Sequence, residues 1–467
     1  MSSQQTTRGI RLGKKQDVDM TVGNVSLHIV RFALPLLLGN LFQQLYNTVD
    51  TWVVGNYVSN EAFTAVGAVA PVVNMLVGSF MGLASGAGVV ISQYYGAGRI
   101  DKVQESVHTA ISMTLILTVF FTAFGLLITP HMIGFMNLHE SAVDEATTYL
   151  TIYISGLIGL MIYNMGAGIL RAIGDSQRPF YFLVVCALMN TGLDLVFVML
   201  FKMGVEGVAL ATIISQGVSA FLVLITLLRT NTCVKLNVKK LSLNISILKK
   251  MLFVGIPAAL QMAVTAFSNV FVQSYINHFD QNSLSPDYMS GWTAYLKIDQ
   301  LLFLPMQSIA LATTTFVGQN LGKNQPERAR QGVSRALMIS MSSTAIMMIP
   351  VLIFAPHIVG FLNRKPEVIQ NGTMFLRYLT PFYLLCCFNQ IYASALRGAG
   401  NSKAPMFIML SSFVLFRQLY LFCMARICNE VIPIALSYPA GWLLCSLLTG
   451  IYYHKVSLTK TRLVDDK

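Results

Sequence analysis

Charge is scarce in this sequence: only 11% of its 467 residues are Asp, Glu, Lys or Arg. A soluble chain of this size could not cover its exterior with so few, so lipid must be the solvent for most of it. Acidic residues are the scarcer kind, 20 against 32 basic ones, for a formal net charge of +12. That excess lies in short connectors between apolar runs rather than on one polar face, which argues against nucleic acid as a partner. Cysteine is also sparse. Cys186, Cys233, Cys386, Cys387, Cys423, Cys428 and Cys445 fall mostly inside apolar stretches with no CxxC spacing, so neither disulfides nor a metal site is expected. There is no Walker loop, no Ser/His/Asp arrangement and no paired aspartate-rich motif, so no enzyme is expected; an intramembrane enzyme stays only as an alternative of a different class. The polar start, to about Ser26, has no apolar core followed by a small-residue cleavage site, so no signal peptide is indicated and the first helix is expected to direct insertion.

Apolar length is abundant. Hydrophobic residues make up 54% of the chain and the mean hydropathy is +0.61. Runs such as FLVVCALMNTGLDLVFVML are long enough for a helix to cross a hydrocarbon layer of roughly 30 Å. About twelve such helices are predicted, near 28–55, 62–93, 106–128, 148–172, 180–201, 206–229, 246–277, 288–319, 330–354, 370–398, 404–427 and 432–455. Basic residues cluster in alternate connectors, as at Arg99 and Lys102, Arg171 and Arg178, Lys235 to Lys250, and Lys323 to Arg335, whereas Asp144 and Glu145 mark an opposite loop. The positive-inside rule then places both termini in the cytoplasm.

The chain repeats itself. GILRAIGDSQRP (168–179) matches SALRGAGNSKAP (394–405) at an offset of about 226, and the same shift superposes SQYYGAGRIDKV on GQNLGKNQPERA. The expected organisation is a tail (1–27), a six-helix bundle (28–229), a basic linker (230–245), a second six-helix bundle (246–455) and a tail (456–467). Six crossings per repeat is an even number, so the halves are related by a pseudo-two-fold axis along the membrane normal. Two bundles facing each other enclose a cavity that can open to either side, an architecture suited to transport.

PLLLGNLFQQLYNTVDTWVVG, the LRAxGDSxxP-type loop in both halves and FLPMQSIALATTTFVGQNLGK together resemble the multidrug and toxic compound extrusion (MATE) family over nearly the whole chain, most nearly its bacterial DinF-type branch. The resemblance implies a secondary antiporter of the bacterial cytoplasmic (inner) membrane, monomeric and multi-pass. It would export amphipathic, often cationic, small organic compounds in exchange for protons or sodium, with membrane lipids around it and no cofactor. It also implies an ion-coupling site at Asp50, Asn190, Asp194 and Thr212, a substrate cavity lined by Gln43, Tyr149 and Asn164, and a helix-1 bend at Pro35. The Glu that other branches place in helix 7 has no counterpart in PAALQMAVTAFSN. A flippase for a lipid-linked precursor, built on the same two-bundle design, is the nearest alternative and would need a strongly cationic cavity.

Depth supports the ion site independently of the family. At about 1.5 Å per residue, Asp50 and Asp194 each lie roughly 20 to 25 Å along their helices from the cytoplasmic end. A buried aspartate costs about 2.5 to 3.5 kcal/mol on insertion scales, so two at one depth ask for a reason. Asn190 and Asp194 are four apart and share a helix face. The alternative for Asn190 and Thr212 is bonding between neighbouring helices, and for Pro35 a static kink. In the second half Phe416 and Tyr420 stand where the repeat would place Asn190 and Asp194, while Lys297, Asp299 and Arg417 lie within the membrane. Asp299 and Arg417 are expected to form a salt bridge closing the outer gate.

Overall fold

The computed structural model describes residues 18–135, 140–282, 287–428 and 430–464; most of the expected first tail (1–17) and the last three residues of the second lie outside them. The first half comprises α1 (Val25–Tyr57), α2 (Asn60–Gly96), α3 (Ile100–Phe135), α4 (Glu140–Ser155), α5 (Leu157–Ala172), α6 (Gln177–Asp194) and α7 (Val205–Arg229). The second comprises α8 (Ile245–Asn282), α9 (Tyr288–Gly322), α10 (Pro326–Ile353), α11 (Ala355–Leu362), α12 (Pro366–Leu379), α13 (Tyr383–Gly398), α14 (Lys403–Leu410), α15 (Arg417–Ile427), α16 (Val431–Ala435) and α17 (Ser437–Lys455). There is no strand among the described residues.

These segments make twelve transmembrane helices in two six-helix bundles. Segments α4 and α5 form one crossing bent by 47°, and α12 with α13 is its repeat, joined through the 3-10 turn Thr380–Phe382. The fifth crossing of each half contains a π-helical stretch, Leu195–Leu200 after α6 and Ser411–Phe416 between α14 and α15. Most helices extend a few residues beyond their sequence-predicted ends, because polar interfacial residues continue the helix after the apolar run stops.

Local chemistry explains why the repeat loops fold alike. Gly174 and Gly400 sit at φ of 89° and 97°, and each ends its helix with a paired cap in which the glycine N–H donates to the arginine carbonyl three residues back. The next residues start the following helices: Asp175 Oδ1 accepts from the backbone N–H of Arg178 at 3.1 Å, and Asn401 Oδ1 from that of Ala404 at 3.2 Å.

The halves meet most tightly at the end that carries both described termini. Gln93 and Gln319 are repeat equivalents, and each crosses to the opposite half. Gln93 Nε2 donates to the Gly398 carbonyl at 2.9 Å, and Gln319 Nε2 to that of Ala172 at 2.9 Å. Their Oε1 atoms accept from the backbone N–H of Leu463 (2.8 Å) and Met20 (3.0 Å), which ties both terminal segments into the same joint. The helix ends are exchanged as well: the start of α1 (Ile29, Phe32, Ala33, Leu36) packs with Phe316 and Val317 of the second half, and Ile247 and Met251 at the start of α8 pack with Val107 and Ile169 of the first.

Between α7 and α8 the connector folds back on α3. The Asn237 N–H donates to His108 Nε2 at 3.1 Å, which leaves Nδ1–H to donate to the Gln104 carbonyl at 2.6 Å, and Asn244 bonds Thr109 and Glu105.

Towards the opposite end the halves part. Gln44 Nε2 of α1 still reaches Gln300 Oε1 of α9 at 2.8 Å. Beyond it a cleft of about 440 Å³ is lined by Thr48, Thr51, Trp52 and Asn56 of α1 together with Lys297 of α9.

A Cβ at Gly96 would lie 1.9 Å from the Gln319 carbonyl oxygen. Gly96→Ala is therefore expected to force the joint open at a cost of about 1–3 kcal/mol. A fall in the thermal unfolding midpoint of detergent-purified protein checks this; an unchanged midpoint would mean that the helices do not meet so closely.

Candidate ion and substrate site

Asp50 projects from α1 and Asp194 is the last residue of α6, immediately before the helix widens into its π-helical stretch. Such widenings are rare and concentrate at functional sites. Helices α1 and α6 approach closely, with Leu183 against Gly39, and the two carboxyl groups become direct neighbours. Asp194 and Asn190 are fully buried, and Asp50 is half-buried.

Apart from the contact between the two carboxyl groups, both oxygens of Asp194, Oδ1 of Asp50 and both amide atoms of Asn190 have no hydrogen-bond partner among the described residues. No described ion pair involves either aspartate. Around the pair stand the phenols of Tyr46, Tyr149 and Tyr153 and the thiol of Cys186. Buried polar groups are normally paired, and exceptions ask for an explanation. Two carboxylates and an amide carbonyl in an apolar wall form a set of hard oxygen donors, which suits a proton or an alkali cation. Two like charges at contact in low dielectric cannot both persist without a counter-ion.

The other residues expected here are dispersed. Thr212 is buried on α7, with its hydroxyl donated to the Val208 carbonyl at 3.0 Å in its own helix. Asn164 likewise donates to the Leu160 carbonyl, at 2.8 Å. Gln43 lies half-buried two turns before Asp50. Tyr149 is the one expected cavity residue that reaches the aspartates, its ring 6.3 Å from that of Tyr153. Helix α1 runs unbroken through Pro35.

In the second half the expected ion pair is not formed. Asp299 instead accepts hydrogen bonds from Tyr295 Oη at 3.3 Å and from Tyr383 Oη. Arg417 donates from Nη1 to Asn269 Oδ1 at 2.8 Å and lies 4.3 Å over the ring of Tyr438. Lys297 is exposed at the cleft. The physical reason is that two tyrosine hydroxyls and an aromatic face satisfy the two charges separately.

Residues 35–196 and 257–420 match the MatE family. The chain belongs to that family. Among its relatives, the probable multidrug resistance protein YpnP of Bacillus subtilis is 26% identical over 85% of this chain and 88% of that protein. YoeA of the same organism, also a probable multidrug resistance protein, is 26% identical over 93% and 95%. A multidrug resistance MATE family transporter solved in an outward-facing conformation superposes with a TM-score of 0.88 at 22% identity, covering 95% of this chain and 98% of that one.

In this MatE chain Tyr46, Tyr153, Tyr295 and Tyr383, which stand around the two carboxyl sites, escaped sequence reasoning, although a signal exists for two of them. Tyr46 precedes Asp50 by four residues and Tyr295 precedes Asp299 by four, the spacing that puts side chains on one helix face. Tyr383 carries no such mark, being distant in sequence. Because Asp299 and Arg417 are held by different partners, the double reversal Asp299→Arg/Arg417→Asp is expected to remain as impaired in transport as either single change. Restored transport in the double variant would reinstate the ion pair.

Proposed function

We propose that this chain is a secondary antiporter that expels amphipathic organic compounds, cations among them, in exchange for protons or sodium, and that Asp50 and Asp194 form its coupling site. The observation that carries the reading is the pair of adjacent carboxyl groups, Asp194 buried and Asp50 half-buried, with no cation or other donor among the described residues to hold them. A group so placed gains a proton or a metal cation far more readily than it persists as two bare charges. Membership of the MatE family and relatives described as probable multidrug resistance proteins support the transport half of the reading.

The ionised pair attracts a cation, and proton or sodium uptake removes that attraction. Substrate and coupling ion thus compete for one charge, which is the requirement for exchange. Asn190 supplies further oxygen and nitrogen atoms one turn away on the same face, and Thr212 retains acceptor capacity on the facing helix. Gln43, Tyr149 and Asn164 belong to the substrate cavity in this reading.

Pro35 deprives α1 of one backbone hydrogen bond, which makes that turn the weakest in the helix. Bending there would move Asp50 relative to Asp194 and so couple ion occupancy to cavity shape. With both termini cytoplasmic, the glutamine joint is the closed inner gate and the cleft beside Lys297 is the outer mouth.

The test is efflux of a fluorescent organic cation from proteoliposomes under imposed pH or sodium gradients. Asp50→Asn and Asp194→Asn are each expected to lower gradient-driven efflux about ten-fold or more while leaving insertion and folding intact. Wild-type rates in both variants would reject the site. The gradient that supports efflux identifies the ion.

A further inference from the structure

A small cavity of about 70 Å³ lies between the halves on the inner side of the glutamine joint, lined by Ser85 and Ser92 of α2, Arg171 of α5, Thr314 and Thr315 of α9, and Arg397 of α13. No acidic residue lines it. Arg171 and Arg397 are repeat equivalents, so the cavity sits on the pseudo-two-fold axis and receives one guanidinium from each half. Arg397 is 8% exposed and its Nε has no partner. Among the described residues no hydrogen bond or ion pair holds either guanidinium, in contrast to Arg178, which Asp175 binds at 3.1 Å.

An arginine in the last turn of a helix is ordinarily explained by the negative end of the helix dipole. That account does not extend to this pair. The carbonyls that end α5 and α13, those of Ala172 and Gly398, already accept from Gln319 and Gln93, and those of Arg171 and Arg397 accept the Gly174 and Gly400 N–H groups. Two permanently charged groups, Arg397 buried and Arg171 half-buried, therefore face one cavity whose lining holds no acidic residue. The two guanidinium forks and the hydroxyls of Ser85 and Thr315 supply the donors that an oxyanion needs, whereas those of Ser92 and Thr314 already donate to the carbonyls of Val89 and Ser394.

We propose that Arg171 and Arg397 form one oxyanion site that receives the phosphate or similar anionic group of an amphipathic organic substrate when the inner gate parts. This rests on the transport reading above and adds to it: acidic groups serve one level of the cavity and basic groups the other. The chain would then export anionic or zwitterionic amphiphiles as well as cations. The closed cavity has room for several waters or one small oxyanion, so the remainder of such a molecule can follow only with the halves apart.

Calorimetric titration of the full chain in detergent tests this with inorganic phosphate, 1-naphthyl phosphate, neutral 1-naphthol and the short-chain lipid dihexanoyl phosphatidylglycerol. Naphthyl phosphate is expected to bind, phosphate to compete with it, and naphthol to bind on the order of ten-fold more weakly or worse. Arg171→Gln and Arg397→Gln should each weaken naphthyl phosphate on the order of ten-fold or more, while Lys239→Gln, on the exposed connector between α7 and α8, leaves its affinity unchanged. Removing the unpaired buried charge in Arg397→Gln should also raise the thermal midpoint of the ligand-free protein; a guanidinium with a structural role would lower it. Should the glutamine variants fail to fold, Arg171→Lys and Arg397→Lys keep the charge, lose the fork and are expected to bind more weakly. Equal binding of phosphate ester and naphthol, or affinity unaffected by these substitutions, overturns the proposal. Tighter arginine-dependent binding of the lipid than of naphthyl phosphate would overturn the assignment to a substrate. Because the readout is binding, it is separate from loss of cation efflux in Asp50→Asn, and either reading can fail alone.

Discussion

The structure depends on a crossed pair of amide hydrogen bonds. Gln93 and Gln319 are related by the internal repeat, and each reaches out of its own half to the last carbonyl of an opposing helix while accepting the backbone of a terminal segment. Duplication makes such a joint almost unavoidable once it has formed in one half. Two like bundles set face to face bring equivalent residues to the axis, where an amide is suitable because it both donates and accepts. A carboxylate or an ammonium at the same position would meet its own charge across the axis.

The same symmetry gives the axis its chemistry and sets limits on it. Arginine is repeated on the axis with no acidic partner among the described residues, and both residues line one cavity. Away from the axis the halves have diverged. Asp50 and Asp194 adjoin without counter-charge in the first half, whereas Asp299 in the second is clamped by tyrosines and Arg417 by an amide and an aromatic face. The first-half carboxyl pair is thus left unsatisfied by the protein, and the second-half charges are spent on internal bonds. The halves share a scaffold, and their polar interiors differ.

Much of this was legible in the sequence because it is local. Apolar length gave the helices, and the recurrence of Gly174, Asp175, Gly400 and Asn401 marks two identical helix caps that depend only on neighbours in the chain. The meeting of Asp50 with Asp194 was legible for another reason: depth along two separate helices can be counted residue by residue. Azimuth cannot be counted so far. Asp299 and Arg417 lie at comparable depth but turn towards Tyr383 and Asn269, residues from other helices whose facing directions no spacing encodes. The π-helical stretch after Asp194 was equally hidden, since its residues, LVFVML, form an ordinary apolar run.

The connection of both terminal segments to the glutamine joint reaches beyond the membrane. Met20 and Leu463 each donate a backbone N–H to it, and Arg328 further grips the carbonyls of Met20 and Gly23. Free energy that orders either segment therefore strengthens the joint, and whatever pulls a segment away weakens it. An affinity tag or a fused fluorescent domain close to either segment therefore bears on how firmly the joint holds, whichever end carries it.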